Sequence, residues 1–436
     1  MHPPSEISKR GVIAGLAALT LAGQAHAAGF YLEDQSTKAS GRAFSGEAAD
    51  TGAESLWYNP AAIAGITSSE ISGSLTPIFT TSRVSDSGST ITQGGVTRPV
   101  SGEPTTFKPV ELGVIPASAS ALRINDQWSI GLAITSPFSF ATKYDTDSFA
   151  RYSALTTRLT TIDLQPTLAW RPVRWLGIGA GPNIEYTDAL LTNALPQSTA
   201  GVPDGRGNLR GNGWDVGYNV GVQLHPTDAV TLGGAYRSKI KHTLEGDANI
   251  MGLQGLLALA NGDSRASASF NTPWAATFGV RLQVTDRLAV EGQGVRTGWG
   301  EFQQIALNSP GGLLPNQLQN YHDTTNGAVG FDYAVTKKLT VRGGVQYDPT
   351  PTPDDGRDAR VPDGDRFLIA GGYSYKATPR LVLDGAISYI DFIPSHINRN
   401  ASEYGNISPL IEVPVNIQGE VNANAITMSV GGRFYF

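Results

Sequence analysis

Segments in which apolar and polar residues strictly alternate run through this chain. From Trp214 to Leu224 every second residue is apolar, and the positions between carry Asp, Gly, Asn or Gln. A period of two is typical of a β-strand with one apolar and one polar face. The pattern recurs at 230–241, at 339–348 and in the last strand, which ends at Phe436. Such strands are longer than most strands of soluble sheets.

The connections between these strands alternate in length. Six short turns lie at 124–127, 171–174, 225–228, 284–287, 335–338 and 377–380. Seven long polar segments lie near 83–109, 139–157, 190–212, 244–271, 300–322, 349–363 and 392–421. Thirteen connections join fourteen strands, with all long loops on one side, which is typical of an outer-membrane barrel. We therefore predict an all-β fold, a 14-stranded antiparallel transmembrane β-barrel; the alternative is a soluble all-β protein with unusually regular hairpins.

The N-terminus has the pattern of a secretory signal. Lys9 and Arg10 precede an apolar run that ends in Ala25-His26-Ala27, and the run is too short to span a bilayer as a helix. We expect residues 1–27 to be a signal peptide, 28–66 a separate N-terminal segment and 67–436 the barrel. The chain contains no cysteine, so disulfides do not hold it, and its formal net charge of −6 argues against nucleic-acid binding.

Residues 55–65, SLWYNPAAIAG, do not alternate. Asn59 is a good helix N-cap, Pro60 suits the first helical position and Gly65 suits the C-terminal end, so the stretch predicts one or two helical turns. An empty fourteen-strand barrel would conduct water, so we expect something to fill its lumen. The local sequence alone leaves open whether this helix lies inside or outside the barrel.

Residues 28–63 resemble the N-terminal hatch of the FadL-type family, the long-chain fatty-acid and hydrocarbon transporters of Gram-negative outer membranes. The matching hatch residues include Gly41, Arg42, Phe44, Asn59, Pro60 and Ala61. The resemblance continues through INDQWSIGLAITSPFSFATKYD, TTIDLQPTLAWR, YRSKIK and VPDGDRF, nearly the whole chain. It implies a partly helical plug inside the lumen, an outer-membrane location and facilitated diffusion of hydrophobic small molecules.

Two outer loops supply candidate capture residues. The fourth loop, NIMGLQGLLALA at 249–260, has apolar residues at helical spacing, and the third opens with leucines. The family resemblance implies that these loops form a substrate groove; the alternative is that they pack together as a lid. The predicted groove residues are Leu190, Leu191, Leu195, Ile250, Leu253, Leu256 and Leu257.

The candidate lumen residues are Phe30, Arg237, Lys239 and Lys241. The resemblance implies that Phe30 reaches into the substrate pocket. The three cations share the predicted inward face of the seventh strand, where they would bind a carboxylate head group or pair with acidic wall residues. Fatty-acid members carry basic residues late in the fifth strand and between strands nine and ten. Here those positions fall at Asn193 and at Thr324 or Thr325, which favours neutral hydrocarbons.

A sideways exit is predicted in strands two and three, which carry Pro116 and Pro137. Proline removes a ladder hydrogen bond and is rare inside a closed sheet. The family's third strand is kinked to give a lateral opening, and small inward residues, including Gly131 and Ala133, would leave room for an acyl chain. The alternative is that both prolines mark harmless bulges.

The sequence contains no convincing catalytic grouping. No Ser-His-acid set and no metal-ligand spacing is recognisable, and the acidic residues between 354 and 365 read better as a solvated loop than as a cation site. We expect no enzyme activity and no cofactor. We expect a monomer whose partners are a hydrophobic substrate, outer-membrane lipid and the barrel-assembly machinery, the last indicated by the terminal aromatic Phe436. The alternative functions are a general porin and a surface barrel acting as an adhesin or phage receptor.

Overall fold

The computed structural model describes residues 29–308, 316–405 and 411–436, so the predicted signal peptide lies outside the described residues. Fourteen antiparallel strands form one closed barrel, because β1 pairs with β14 from Glu70↔Tyr435 to Asp86↔Gly419. The strands are β1 Glu70–Asp86, β2 Gly113–Arg123, β3 Trp128–Thr135 continued by Ser139–Lys143, β4 Thr156–Val173, β5 Leu176–Leu195, β6 Gly205–Thr227, β7 Val230–Arg237 continued by Ile240–Met251, β8 Gly262–Thr272 continued by Trp274–Gln283, β9 Leu288–Gly298, β10 Thr324–Ala334, β11 Leu339–Asp348, β12 Arg366–Lys376, β13 Leu381–Phe392 continued by Ser395–Glu403, and β14 Val413–Tyr435.

The alternation of apolar and polar residues decides which face of each strand points outward. In β6, Trp214, Val216 and Tyr218 are exposed on the outer wall, and the polar face lines the lumen. Each short turn predicted from the sequence lies at or within two residues of a tight turn between neighbouring strands. The predicted fold class is confirmed.

The outer loops are shorter than predicted because several strands continue beyond the length needed to cross a membrane. β5 has 20 residues and β6 has 23, whereas about 9–11 residues suffice for a tilted transmembrane strand. Their polar, glycine-rich outer halves pair with each other from Gly205↔Leu195 onward. The polar, glycine-rich segments that were predicted as loops therefore form the outer parts of strands. Their backbone groups hydrogen-bond to each other above the bilayer.

The N-terminal segment, residues 29–66, is called the plug. It contains α1 (Thr37–Ser40) and the 3-10 turns Glu47–Ala49, Ala53–Ser55 and Pro60–Ile63, and it lies inside the lumen against the inward faces of the strands. Further 3-10 turns occur at Phe149–Tyr152, Gly255–Ala260 and Trp299–Glu301, and short loop strands at Thr90–Gln93, Val96–Pro99, Thr105–Phe107, Gln304–Asn308 and Gln317–Leu318.

None of the helices in the described residues is long and apolar enough to cross a membrane.

Buried apolar side chains form three clusters along the barrel. The first joins the plug to the wall through residues such as Leu56 and Ile63. The second is an aromatic cluster around Phe30 and Trp299 on the loop side of the plug. The third packs the outer loops together and includes Leu195, Leu253 and Leu257. Buried apolar packing therefore occurs at the plug, on the loop side of the plug and among the outer loops.

Candidate functional site

Asn59 connects the plug to the barrel wall as well as capping its last helical turn. Its Oδ1 accepts from the Ala61 amide at 2.9 Å, and Pro60 occupies the first position of the turn, as predicted. Its Nδ2 donates to the carbonyls of Ala48 at 2.6 Å and of Val222 in β6 at 3.1 Å. The Asn59 side chain thus caps the turn Pro60–Ile63, links it to the plug backbone at Ala48 and fixes both against β6.

Arg42 is the centre of a buried ion cluster between plug and wall. Its side chain is fully buried and contacts two plug carboxylates, Glu47 and Asp50, each at 2.5 Å. It also contacts Glu291 of β9 at 3.1 Å and Asp332 of β10 at 3.0 Å. Breaking a buried pair by removing one partner is strongly destabilising, so this cluster holds the plug against the wall.

Neighbouring charges extend this cluster within the plug. Lys38 lies 3.0 Å from Asp50 and 3.3 Å from Glu54. Burial alone would raise the pKa of Asp50, but Lys38, Arg42 and Arg281 lower it well below its usual range. Asp50 therefore stays ionised and paired.

Glycines on the inward face of the wall let the plug backbone approach closely. A Cβ at Gly233 would lie 1.9 Å from the Ala48 carbonyl oxygen, and one at Gly221 would lie 1.9 Å from Asn59 Oδ1. A Cβ at Gly179 would meet the Pro60 carbonyl at 2.2 Å. These positions exclude any side chain, because the plug occupies the space.

The other predicted hatch residues lie at tight packing points. Gly41 faces β11 and β12, where a Cβ would lie 3.0 Å from Arg342 Cδ. Phe44 is buried in the cluster that joins plug and wall, at a positive φ of 61°. Ala61 is fully buried in the last helical turn.

An apolar cavity of about 70 Å³ lies between the plug and the outer loops. Phe30 borders it and contacts Trp299 at 4.9 Å, Phe302 at 5.1 Å, and Phe138 and Phe140 at 5.8 Å between ring centroids. The rest of the lining is mostly aliphatic or aromatic and includes Leu159, Leu191, Leu209, Leu244, Phe270, Ile305 and Val361. The structure thus places Phe30 at the cavity, where the resemblance implied it.

Several cavity residues were not anticipated from the sequence. Phe140 and Phe302 lie in segments that were predicted as polar loops. An isolated aromatic residue in such a segment was the only sequence feature that could have indicated a buried position. Arg360, whose side chain also borders the cavity, immediately precedes the VPDGDRF motif and was not singled out.

A second cavity, also of about 70 Å³, lies farther out and shares Leu191, Leu209 and Arg360 with the first. Of the predicted groove residues, Leu191, Leu195, Ile250 and Leu253 line it, and Leu257 is buried in the outer-loop cluster. The two cavities are therefore neighbours, with the second nearer the outer loops and the first nearer the plug.

The remaining groove assignments need correction. Leu190 is in β5, next to Leu191, and the strand turns the two side chains to opposite faces. Ile250 belongs to β7 and not to a helix, because Gly252 at φ 79° and Gly255 at φ 60° end the regular structure and leave only the 3-10 turn Gly255–Ala260. Leu256 is 78% exposed and points away from the cavity.

The predicted lumen cations are not on one face. Arg237 points inward, pairs with Asp163 at 2.9 Å and donates to the Trp57 carbonyl of the plug at 2.8 Å. β7 is interrupted at 238–239, which changes the phase of the alternation, so Ile240 points inward and Lys241 outward. Lys239 is half exposed and pairs with Glu301 at 2.9 Å. The shared inward face predicted for these three residues is wrong.

The ladder between β2 and β3 is interrupted, and this gap in backbone pairing is called the window. The β2–β3 ladder runs from Arg123↔Ser129 to Ser118↔Ile134 and then stops. Pairing resumes farther out, where the Lys143 amide donates to the Pro109 carbonyl at 2.6 Å. Pro116 pairs with Leu75 of β1, and Pro137 lies in the break of β3, so both prolines border the window.

The plug closes this window from inside. The Leu32 backbone amide donates to the Pro137 carbonyl at 2.8 Å, and the Ser139 backbone amide donates to the Phe30 carbonyl at 3.2 Å. Between them, Tyr31 forms a β-bridge with Phe138. Gln35 exchanges hydrogen bonds with the Ser136 backbone at 3.0 and 3.2 Å. Plug residues therefore replace β2 as the partner of the interrupted strand.

The small residues of β3 do not leave free space in this state. A Cβ at Gly131 would lie 2.8 Å from both Ile63 Cδ1 and Leu56 Cδ2, and Ala133 is fully buried. Plug side chains fill the volume that the sequence assigned to an acyl chain.

The acidic loop residues are separately paired. Asp354 pairs with Arg357, Asp355 accepts from Asn398 and Asp365 accepts from Tyr347. Within the part of the chain that the structure describes, no three His, Asp or Glu side chains are grouped to hold a metal ion.

Comparison with known proteins gives a consistent result. The family described as outer membrane protein transport protein (OMPP1/FadL/TodX) matches residues 18–436. A long-chain fatty acid transport protein of Escherichia coli O6:H1 is 28% identical, over 84% of this chain and 87% of the relative. A crystal structure of a Pseudomonas aeruginosa FadL homologue has a TM-score of 0.83 and 24% identity, covering 93% of this chain and 99% of that one. The Pseudomonas putida toluene transporter TodX has a TM-score of 0.67 and 18% identity, covering 94% and 100%.

The closed barrel, its plug and the apolar cavity define an outer-membrane transport barrel. The two structural likenesses show the fold alone, whereas the family match covers most of the sequence. The chain belongs to the OMPP1/FadL/TodX family, which consists of outer-membrane transporters of hydrophobic substrates and not of enzymes. Its location is the Gram-negative outer membrane.

Proposed function

We propose that this protein carries hydrophobic small molecules, long-chain fatty acids or hydrocarbons, across the outer membrane by facilitated diffusion. The observation that carries the proposal is the apolar cavity between plug and loops, which is bordered by aromatic rings. Concave, mostly apolar cavities suit small apolar ligands. The relatives named for long-chain fatty acid and for toluene transport support the same substrate range.

Capture takes place in the outer cavity lined by Leu191, Leu195 and Leu253. It shares wall residues with the aromatic cavity, so a molecule held there moves inward without crossing bulk water. Removing apolar surface from water favours each step, at roughly 25 cal/mol per Å². The plug prevents a general porin function, because it fills the lumen below the cavity.

Exit takes place through the window between β2 and β3 into the bilayer. An apolar molecule gains nothing by entering periplasmic water, and the window lies beside the aromatic cavity, since Phe138 and Phe140 contact Phe30. Residues 30–35 of the plug cover the window and must move for cargo to pass.

Uptake measurements test this proposal. The protein is expressed in a Gram-negative host that lacks its own outer-membrane fatty-acid transporter, and uptake of radiolabelled oleate and toluene is compared with the empty host. We expect saturable uptake of at least one compound. Leu253→Asp should weaken it, because a charge in the outer cavity cannot be compensated, whereas Leu256→Asp, at an exposed position of the same loop, should not.

Uptake of neither compound by folded, membrane-inserted protein would contradict the proposal. That outcome favours the alternative, a surface barrel that acts as an adhesin or phage receptor. Equal effects of the two loop substitutions would remove the outer cavity from the mechanism.

A further inference from the structure

A short sequence repeat occupies three neighbouring turns at the periplasmic end of the barrel. A threonine, any residue, a cation and a leucine follow one another in the turns β8–β9, β10–β11 and β12–β13, at 285–288, 336–339 and 378–381. In each turn the threonine hydroxyl accepts from the backbone amides of the cation and of the leucine, at 3.1 and 3.0 Å for Thr336. The repeat therefore places three cations at equivalent positions: Arg287, Lys338 and Arg380.

Backbone hydrogen bonds join each of these turns to the next hairpin. The carbonyl of the cationic residue accepts from a backbone amide of the following strand at 2.8 or 2.9 Å: Arg287 from Ala334, Lys338 from Lys376, and Arg380 from Tyr435. Each step from one turn to the next crosses two strands, so successive cations lie about 10 Å apart along the rim. The three turns form one continuous arc.

This basic arc, defined as residues 284–287, 335–338 and 376–380, carries unpaired positive charge. Its cations are Arg287, Lys337, Lys338, Lys376 and Arg380, and Asp286 is its one acidic side chain. All of these cations are exposed, and within the part of the chain that the structure describes none of their side chains makes a hydrogen bond or lies within 4.0 Å of a carboxylate. The whole chain has a formal net charge of −6, so the arc is a local excess of the opposite sign.

Other cations of the same rim are bonded to the protein. Arg123 pairs with Asp126 at the β2–β3 turn. At the β4–β5 turn, Arg171 donates to the Arg174 carbonyl at 2.7 Å and to the Gly65 carbonyl of the plug at 3.4 Å. These arginines stabilise the turns and the plug, whereas the basic arc keeps its donors free for a ligand outside the chain.

Aromatic residues fix the level of the basic arc relative to the membrane. The leucine after each cation pairs with an aromatic residue of the next strand: Leu288 with Tyr333, Leu339 with Tyr375, and Leu381 with Phe434. These aromatic side chains are 39–43% exposed on the outer wall. Aromatic girdles of transmembrane barrels lie at the membrane interface, and short turns lie on the periplasmic side. The cations, one residue beyond the girdle, therefore lie at the level of the periplasmic head groups.

We infer that the basic arc binds the phosphate of an anionic phospholipid of the periplasmic leaflet through Arg287, Lys338 and Arg380. Lysine and arginine donate charge-assisted hydrogen bonds to phosphate, and clustered cations beside a membrane segment favour anionic lipid. The acyl chains of the same lipid pack against the girdle and the apolar outer wall. This position at the membrane surface favours a lipid over a soluble acidic protein. The inference goes beyond the proposed transport function and does not depend on it.

A matched pair of lipids tests the inference. Equilibrium binding of radiolabelled dioleoyl phosphatidylglycerol and dioleoyl phosphatidylcholine to purified protein in neutral detergent compares an anionic and a zwitterionic head group on the same acyl chains. Wild-type protein should bind the anionic lipid at least about fivefold more tightly, and less so at high salt. Arg287→Gln, Lys338→Gln and Arg380→Gln together should reduce the preference to within about twofold, with phosphatidylcholine binding unchanged.

The control combines Arg98→Gln, Arg206→Gln and Arg265→Gln, which remove the same charge from exposed positions at the loop end of the barrel. It should keep the preference, and the electrophoretic mobility of unheated samples should show that each variant is a folded barrel. Equal binding of both lipids by the wild type, a preference that survives in the arc variant, or an equal loss in the control would overturn the inference.

Two soluble competitors separate a lipid from other anionic ligands. Millimolar sn-glycerol 3-phosphate should not displace phosphatidylglycerol, because it lacks the acyl chains that pack on the wall. Complete displacement would assign the basic arc to a soluble phosphate and overturn the lipid assignment. Binding of polyglutamate without any lipid preference would assign the arc to an acidic protein and would also overturn it.

Discussion

At the scale of the residue, Glu33 is a buried titratable group of the plug. Its carboxylate accepts from Gln346 at 2.7 Å and Asn326 at 3.3 Å on β11 and β10, while its neighbours Leu32 and Gln35 bond to the interrupted strand β3. Burial, reinforced by Asp348, raises the pKa of Glu33 from 4.5 to about 7. The closed plug therefore binds this proton more tightly than an opened one.

Plug closure should consequently weaken as the pH rises from about 4.5 through 7. A group with a raised folded pKa binds more protons in the closed state, so stability falls with pH, by at most about 1.4 kcal/mol per pH unit for one proton. Hydrogen-exchange protection factors of residues 30–35, corrected for intrinsic rates, should fall between pH 5.5 and 8. Glu33→Gln should flatten this slope but not remove it, because burial also raises the pKa of Asp34, to about 6. An unchanged slope in Glu33→Gln would show that another group controls closure.

At the scale of elements, the break in β3 is the feature that links plug and wall. Its residues 136–139 leave the β2 ladder and pair with plug residues 30–35 instead. An interrupted transmembrane strand is tolerated because protein, and not lipid, satisfies its backbone groups. In the exit route proposed above, this pairing would have to break before cargo could pass the window.

A disulfide across this pairing should lock the window shut. Tyr31 and Phe138 form a β-bridge with their rings 5.4 Å apart, and the chain has no native cysteine. Tyr31→Cys combined with Phe138→Cys should abolish uptake when oxidised and recover it on reduction.

The matched control for this lock is Ile71→Cys with Phe434→Cys, which cross-links β1 to β14 at paired positions of the outer wall. It should transport in both redox states. Full uptake by the oxidised Tyr31/Phe138 pair would mean that cargo leaves by another route.

At the scale of the whole molecule, the plug separates the outer cavities from the periplasmic end of a wide barrel. Contacts from many strands hold it: Asn59 to β6, Arg237 of β7 to the Trp57 carbonyl, and Arg42 to β9 and β10. Barrel closure depends instead on the ladders of all fourteen strands. Plug attachment and barrel integrity should therefore be separable.

Arg42→Met should loosen the plug without unfolding the barrel. The substitution leaves Glu47, Asp50, Glu291 and Asp332 without their central cation, a loss of roughly 3–5 kcal/mol for a buried ion cluster. Ion conductance in planar bilayers should rise, with unheated electrophoretic mobility unchanged. Lys239→Met, which removes a half-exposed ion pair, should conduct like the wild type. Equal conductance of the two variants would assign plug retention to other contacts.

Rules that act between neighbouring residues account for much of this fold. The period of two predicted the outer faces of strands such as β6, and the short turns predicted the order of strands. The cap at Asn59 and Pro60 predicted the last helical turn of the plug. These features depend on neighbours in the sequence, so the sequence by itself determined them.

Tertiary structure alone decided where the functional side chains meet. A two-residue interruption after Arg237 changes which face Lys241 takes, and no local pattern marks it. Arg42 of the plug pairs with Asp332 of the wall, 290 positions away in the sequence. Packing of the outer loops leaves Arg360 Nε without a hydrogen-bond partner among the described residues. Such contacts combine strand register, loop packing and charge pairing across the whole barrel. The reason is physical: a cavity gathers side chains from many strands, and its chemistry depends on which donors and acceptors remain unpaired after all of them have packed.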